Sequence, residues 1–278
     1  MRSICHFSTV HRVDDTRVFF REVKGLLSHG IEVTLIARKG TVLPGHENLR
    51  TIIFPEFKSR LVRMTFGNLK MFRLVHRIKA DVYQFHDPEL LVAGLCLRLL
   101  GKKVVYDVHE DVKKQILSKQ YLTSFKRRML SGFIGGLERN LVKYFSGIVC
   151  VIPNMLEDFD IERKVLFRNF PDPTAILNAK PVPKGRKFRI IYPGSLSENR
   201  GIIDVLDAIE MLGNDIELVL LGRFSDLAFE KRCRDHQAWK KVRYEGRVPL
   251  GSVYSEILSA DLGLQYVKIG QVTVWVTR

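Results

Sequence analysis

The chain has 278 residues, four cysteines and a formal net charge of +15, and 46% of its residues are apolar. That length and apolar share supply one or two cored domains and exclude a disordered chain or a disulfide-stapled mini-protein. No apolar run reaches the about 20 residues that cross a bilayer, so no helical span is expected.

The opening MRSICHF runs straight into a strand-like pattern without the layout of a signal peptide, which predicts a cytoplasmic protein. Cys5, Cys96, Cys150 and Cys233 lie far apart with no C-x-x-C pair, so free thiols are expected rather than zinc or disulfides. The positive balance draws the protein to anionic partners and says nothing of fold.

Strand-like and helix-like runs alternate from the start. Residues 3–8 read as a strand. Over 15–28, Val18, Phe19, Val23, Leu26 and Leu27 recur at the spacing of one helical face, with Asp14 or Asp15 suited to the start and Gly30 to the end. A strand follows at 32–37. Another at 81–85 leads into His86-Asp87-Pro88-Glu89 and the apolar run 90–100. There Asp87 suits an N-cap, Pro88 the first helical position and Gly101 the stop. That helix is apolar nearly all round, which predicts burial. Strands at 103–108 and 147–152 bracket a helical run over 121–145, with a break expected at Gly135-Gly136.

Pro171, Pro173, Pro181, Pro183 and Gly185 mark a linker over 169–186. A second alternation then gives strands at 188–192, 217–221, 242–244 and 262–266, with helices at 201–212 and 225–236. The closing QVTVWVTR alternates like a strand. Two such series predict an α/β protein with two Rossmann-like domains, 1–168 and 187–278, on parallel sheets facing across a cleft. Ligands in such sheets bind at the C-terminal strand ends near the topological switch point.

Several residues fall at those strand ends. The loop Gly194-Ser195-Leu196-Ser197-Glu198-Asn199-Arg200-Gly201 joins a strand to a helix start, where backbone N–H groups and the helix dipole favour a pyrophosphate. An ordinary Ser-capped turn is the plain alternative. His109 ends the strand 103–108, where a neutral imidazole can bond a hydroxyl or steady developing charge; a capping or core histidine is its alternative. His86 and Asp87 end the neighbouring strand, and His11, Asp14 and Asp15 lie in the first strand-to-helix loop. Gly222 follows the strand 217–221, where glycine permits close backbone approach to a ligand or simply a tight turn. These histidines make no i,i+4 pair and no tight ligand spacing, so no metal is expected.

Lys113, Lys114, Lys119, Lys126, Arg127, Arg128, Arg139 and Lys143 interleave with Phe125, Met129, Phe133, Ile134 and Leu137. A helix with one cationic and one apolar face suits an anionic membrane; a packed helix with a solvated basic side is the alternative. No zinc-finger spacing, RRM-type aromatic signature or strong helix-turn-helix pattern points to nucleic acid.

DVYQFHDPELL (81–91), GKKVVYDVHED (101–111), YPGSLSENRG (192–201) and the opening HFSTVHRVDDTRVFFREVKGLLSHGIEVTLIA (6–37) resemble glycosyltransferase family 4-like enzymes, over roughly 4–264. The resemblance implies a GT-B fold. It also implies retaining transfer of a sugar from a UDP- or GDP-sugar to a glycan or lipid-linked acceptor, in polysaccharide or glycoconjugate biosynthesis, with no cofactor and no required metal. In the family's G-R-L-x-x-x-K-G pattern, which holds the donor diphosphate, Gly194, Leu196 and Gly201 match and Arg200 keeps the lysine's charge. Ser195 stands at the arginine position and brings a hydroxyl without charge.

By the same resemblance, His109 lies beside the donor sugar. Gly222, Arg247 and Val248 belong to the donor side, and His11, Asp14, Asp15 and His86 to the acceptor side. Peripheral attachment to the inner face of the plasma membrane through 113–145 is a further expectation. The match stops after ADLGL (260–264). The family continues with an E-x7-E feature, whereas this sequence has no glutamate after Glu256, so a truncated or altered second domain is expected. An inactive relative that binds only nucleotide or membrane is the alternative function, and a GT-B nucleotide-sugar epimerase the second alternative.

Overall fold

The computed structural model describes residues 2–41, 43, 45–108, 112–117, 123–170, 173–267 and 271–276. The chain divides into two compact units, Met1–Phe170 and Pro171–Arg278.

In the first unit the described strands are β1 (Ser3–Arg12), β2 (Glu32–Arg38), β3 (Leu49–Phe54), β4 (Val82–Phe85), β5 (Val104–Val108), β6 (Gly147–Cys150) and β7 (Lys164–Leu166). They form one sheet in the order β3-β2-β1-β4-β5-β6-β7, with every pairing parallel. The order reverses between β1 and β4, and this is the switch point at which parallel sheets take ligands.

Side chains alternate across the strands. Cys5, Phe7, Tyr83, Phe85, Val104, Tyr106, Ile148 and Cys150 fill one face. There they pack beneath α3 (Asn68–His76), α4 (Leu91–Leu99) and α6 (Ser124–Val142). On the other face Ile4, Val33, Leu35 and Ala37 pack against Val18, Phe19, Val23 and Leu27. Those residues lie on a π turn (Val18–Val23) that runs on into α1 (Lys24–Ser28). Its N–H groups reach back five residues, as from Glu22 to the Arg17 carbonyl at 3.2 Å. Short helices α2 (Arg60–Val62), α5 (Val112–Leu117) and α7 (Pro153–Glu157), a second π turn (Arg63–Gly67) and a 3-10 turn (Pro88–Leu90) complete the unit's described helical segments.

The second unit begins with α8 (Pro173–Leu177), inside the proline-rich stretch. Its strands β8 (Phe188–Pro193), β9 (Ile216–Leu221), β10 (Val242–Gly246), β11 (Leu262–Val267) and β12 (Gln271–Val276) are ordered β10-β9-β8-β11-β12. The first four are parallel, and β12 runs antiparallel against β11. Its switch point lies between β8 and β11. The connecting helices are α9 (Ile202–Glu210), α10 (Leu227–Arg234) and α11 (Leu250–Leu258).

Several expectations are corrected. The expected break at Gly135-Gly136 is absent: α6 runs through it, because Gly135 is buried against the Lys113 side chain and a helical glycine costs only about 1 kcal/mol. α4 is not buried all round, since Val92 is 61% and Leu99 77% exposed on its outer side. Asp87 precedes the Pro88–Leu90 turn but makes no side-chain cap there. Cys233 lies in the charged helix α10 yet is fully buried on its inner side; Cys5 and Cys150 are buried and Cys96 half-buried, all as free thiols. Among the described residues, no helix is long and apolar enough to cross a membrane.

Candidate active site

At the switch point of the first unit, polar side chains occupy the C-terminal ends of β1, β4 and β5. Asp87 turns away from its own helix toward β1. It accepts hydrogen bonds from the Thr9 N–H at 2.6 Å and from the Ser8 hydroxyl at 2.9 Å. The Thr9 hydroxyl donates to Glu89, which Arg63 also grips in a bidentate pair at 2.6 and 3.1 Å. His11 stands over this layer, with Nδ1 3.0 Å from Asp15 Oδ2 and Nε2 3.7 Å from Asp87 Oδ1.

Asp15 is the residue that starts the helix, accepting the Arg17 and Val18 N–H groups at 2.9 and 3.0 Å. Burial pushes its carboxyl up, but the His11 hydrogen bond and charge and the two N–H groups outweigh this and hold it below the usual carboxylate range. Asp14 points elsewhere: it pairs with Arg12 and accepts the Thr41 N–H, which fixes the neighbouring turn.

Beneath lies a buried layer. The Arg17 guanidinium donates to both oxygens of Asp107, at 3.1 and 2.6 Å, and Nη1 donates to the Phe167 carbonyl at 3.2 Å. Arg17 also faces Glu22 at 3.1 Å, and Gln84 Nε2 donates to Glu22 Oε2 at 2.7 Å. His86 Nδ1 lies 2.9 Å from Asp107 Oδ2, and His86 Nε2 lies 3.0 Å from His6 Nδ1. With Asp107 ionised against Arg17, the proton of His86 belongs on Nδ1, and its Nε2 accepts from His6. Burial, then the neighbouring His86, pushes His6 down to about 3, so it is neutral. Burial, then the charge of Asp107, raises the Glu22 carboxyl well above its ordinary range.

Of the first unit's sequence-marked residues, the structure therefore brings His11, Asp15 and Asp87 together, with His86 in the buried layer beneath and Asp14 at the edge. His109 lies outside the described residues. Arg17, Glu22, Gln84, His6 and Asp107 escaped the sequence reading as a group. Their signal was a polar residue at an inward strand position, such as Gln84 in VYQF or Asp107 in VVYDV.

In the second unit the marked residues gather at the ends of β8, β9 and β10. The Gly194 N–H donates to the Leu221 carbonyl, and the Gly222 N–H to the Gly246 carbonyl, both at 2.7 Å. Gly222 holds φ +142°, and a Cβ there would lie 1.7 Å from the Gly194 oxygen. The strand ends thus approach as closely as backbone allows. Gly201 holds φ +59° between the turn Glu198–Arg200 and α9, and the Tyr266 ring lies against it. No side chain caps α9. Its positive end therefore faces the loop, where Gly194 and Ser195 are exposed and Arg200 half-buried. Arg247 is exposed just beyond Gly246, and Val248 packs against the apolar cluster of Ile191, Val219 and Leu221.

The family model described as Glycosyltransferase Family 4 matches residues 16–161, more than half of the chain. No curated protein sequence matches it. Sucrose-phosphate synthase from Thermosynechococcus elongatus is similar at 14% identity and TM-score 0.70, covering 94% of this chain and 74% of that one. WaaG, a glycosyltransferase involved in lipopolysaccharide biosynthesis, is similar at 14% and 0.66, covering 96% and 75%. HepE from Anabaena, solved with UDP and glucose, is similar at 15% and 0.65, covering 96% and 74%. At such identities the likeness speaks to the fold, while the family match speaks to kinship. Together they make this chain a glycosyltransferase of GT-B fold and a member of glycosyltransferase family 4.

Proposed function

We propose that the protein transfers a sugar, with retention, from a UDP- or GDP-sugar to a glycan or lipid-linked acceptor in polysaccharide or glycoconjugate biosynthesis. The observation that carries the donor reading is the uncapped start of α9, held open by left-handed Gly201 with Arg200 beside it. Positive dipole, backbone N–H groups and a guanidinium together suit a diphosphate. The HepE structures with UDP and with UDP-glucose support a nucleotide-sugar donor.

In this reading the Gly194–Ser195 backbone and Arg200 hold the diphosphate, and the strand ends at Gly222, Arg247 and Val248 hold the nucleoside. His109 lies by the sugar, and His11, Asp14 and Asp15 meet the acceptor. His86, only 1% exposed, acts by positioning rather than by touching substrate. Catalysis rests on alignment and on stabilising the departing diphosphate, with no cofactor. Calorimetric titration with UDP and GDP tests it: one of them saturates the wild type. Arg200→Ala weakens that binding by about 10- to 100-fold, the range of one lost hydrogen bond to a charged group. Unchanged affinity in the variant removes Arg200 and its loop from the donor site.

A second reading concerns location. On α6, Phe125, Met129, Phe133 and Leu137 repeat every fourth position and are 76, 62, 71 and 44% exposed. Lys126, Arg128, Arg139 and Lys143 are exposed around them. We propose that this helix attaches a cytoplasmic enzyme peripherally to an anionic membrane. Sedimentation with phosphatidylglycerol vesicles is expected to carry the wild type down, and raised salt or Phe125→Ser/Phe133→Ser to release it. Equal sedimentation of the double variant sinks the idea.

A further inference from the structure

We infer that His6, His86 and Glu22 form a binding site for one divalent transition-metal ion. One ligand atom from each residue lies within 4.8 Å of the others, and all three residues are buried. His6 Nδ1 is 3.0 Å from His86 Nε2 and 3.9 Å from Glu22 Oε2. A tetrahedral ion at about 2.1 Å from its ligands sets them about 3.4 Å apart. These two separations bracket that spacing and the third lies within 4.8 Å, so shifts of up to about 1.4 Å close the site.

The surroundings are those of a metal centre. A metal-bound histidine donates its other N–H to a carboxylate, and a ligating carboxylate is itself hydrogen-bonded. His86 Nδ1 lies 2.9 Å from Asp107, which Arg17 clamps through both oxygens. Glu22 Oε2 accepts from Gln84.

Access exists as well. His6, Glu22 and Gln84 line a cavity of about 780 Å³ whose other walls include Val105, Val149 and Val165. Water from that cavity can fill the fourth position.

Two imidazoles and one carboxylate select zinc, cobalt or nickel over magnesium or calcium, which take oxygen ligands. The ion would tie β1, the π turn and the end of β4 together at the switch point. His6 and His86 are 80 positions apart, so no local spacing announces the set.

The test uses the full chain, stripped with chelator and reloaded with ZnCl₂ or CoCl₂. One zinc per chain is expected to survive gel filtration and to raise the thermal transition. Cobalt is expected to give the visible bands of a four-coordinate nitrogen–oxygen site, without thiolate charge transfer. Glu22→Gln and His6→Ala are expected to weaken the ion at least tenfold. The wild-type spectrum decides alone should either variant fail to fold. No retained ion, a thiolate band pointing to the cysteines, or equal affinity in a folded variant overturns the site. In the first case the His6–His86–Asp107 set is a hydrogen-bonded relay only.

Discussion

Gly222→Ala is expected to abolish nucleotide binding and to destabilise the second unit by about 4 kcal/mol or more, the range kept for severe steric or backbone conflict. The added Cβ would sit 1.7 Å from the Gly194 oxygen and 2.8 Å from the Gly194 carbonyl carbon. These are backbone atoms, which cannot swing aside as a side chain can. The φ of +142° adds strain of about 1–3 kcal/mol for any residue with a Cβ. Relief requires β8 and β9 to part at the ends that carry the proposed donor loop, breaking the Gly194–Leu221 hydrogen bond. Gly213→Ala is the control: its Cβ meets nothing within 4 Å, so stability should change by less than about 0.5 kcal/mol. Thermal unfolding and UDP or GDP titration of the two variants check both halves. A Gly222→Ala protein with wild-type stability and affinity would mean that the two strand ends do not meet as described.

Arg17→Met is expected to cost about 3–5 kcal/mol in chemical denaturation, because removing one member of a buried pair leaves the opposing charge without it. The Arg17 side chain is only 7% exposed and faces both Asp107 and Glu22. Methionine keeps the length of the stem and removes the charge. Adding Asp107→Asn should recover part of the loss, since it removes one of the carboxylates that Arg17 neutralises. Arg12→Met, whose pair with Asp14 is largely solvated on the arginine side, should cost less than about 1 kcal/mol. Similar losses for Arg12 and Arg17 would show that the buried layer contributes no more than a surface contact.

The two alternations and their strands were legible because buried parallel strands are written as apolar runs such as EVTLIA and ELVLL. The edge strands β3 and β7 were not, since Leu49–Phe54 buries only Phe54 and Lys164–Leu166 has no fully buried residue. The loop proposed to hold the donor could be picked out in the sequence because its glycines and Arg200 are neighbours. The tight constraint on Gly222 was not, because it depends on Gly194 in the adjacent strand end. Asp87 misled for a related reason: its sequence position is that of a cap, while its carboxylate bonds to Ser8 and Thr9, nearly 80 positions earlier. The Arg17–Asp107 pair spans 90 positions. Local periodicity carries the elements, whereas the buried polar layer is a product of strand order and becomes visible only once β1, β4 and β5 stand side by side.

The π turn over Val18–Val23 sets how this segment can change length. An α-helix turns about 100° per residue, which would put positions 17 and 22 about 140° apart. The wider winding brings the Arg17 and Glu22 side chains within 3.1 Å of each other on the sheet side. A one-residue deletion between them would restore an ordinary helix and could preserve the apolar stripe. It would also rotate either the guanidinium or the carboxylate out toward solvent. A single-residue deletion at this point is therefore expected to lose the buried layer while keeping the fold.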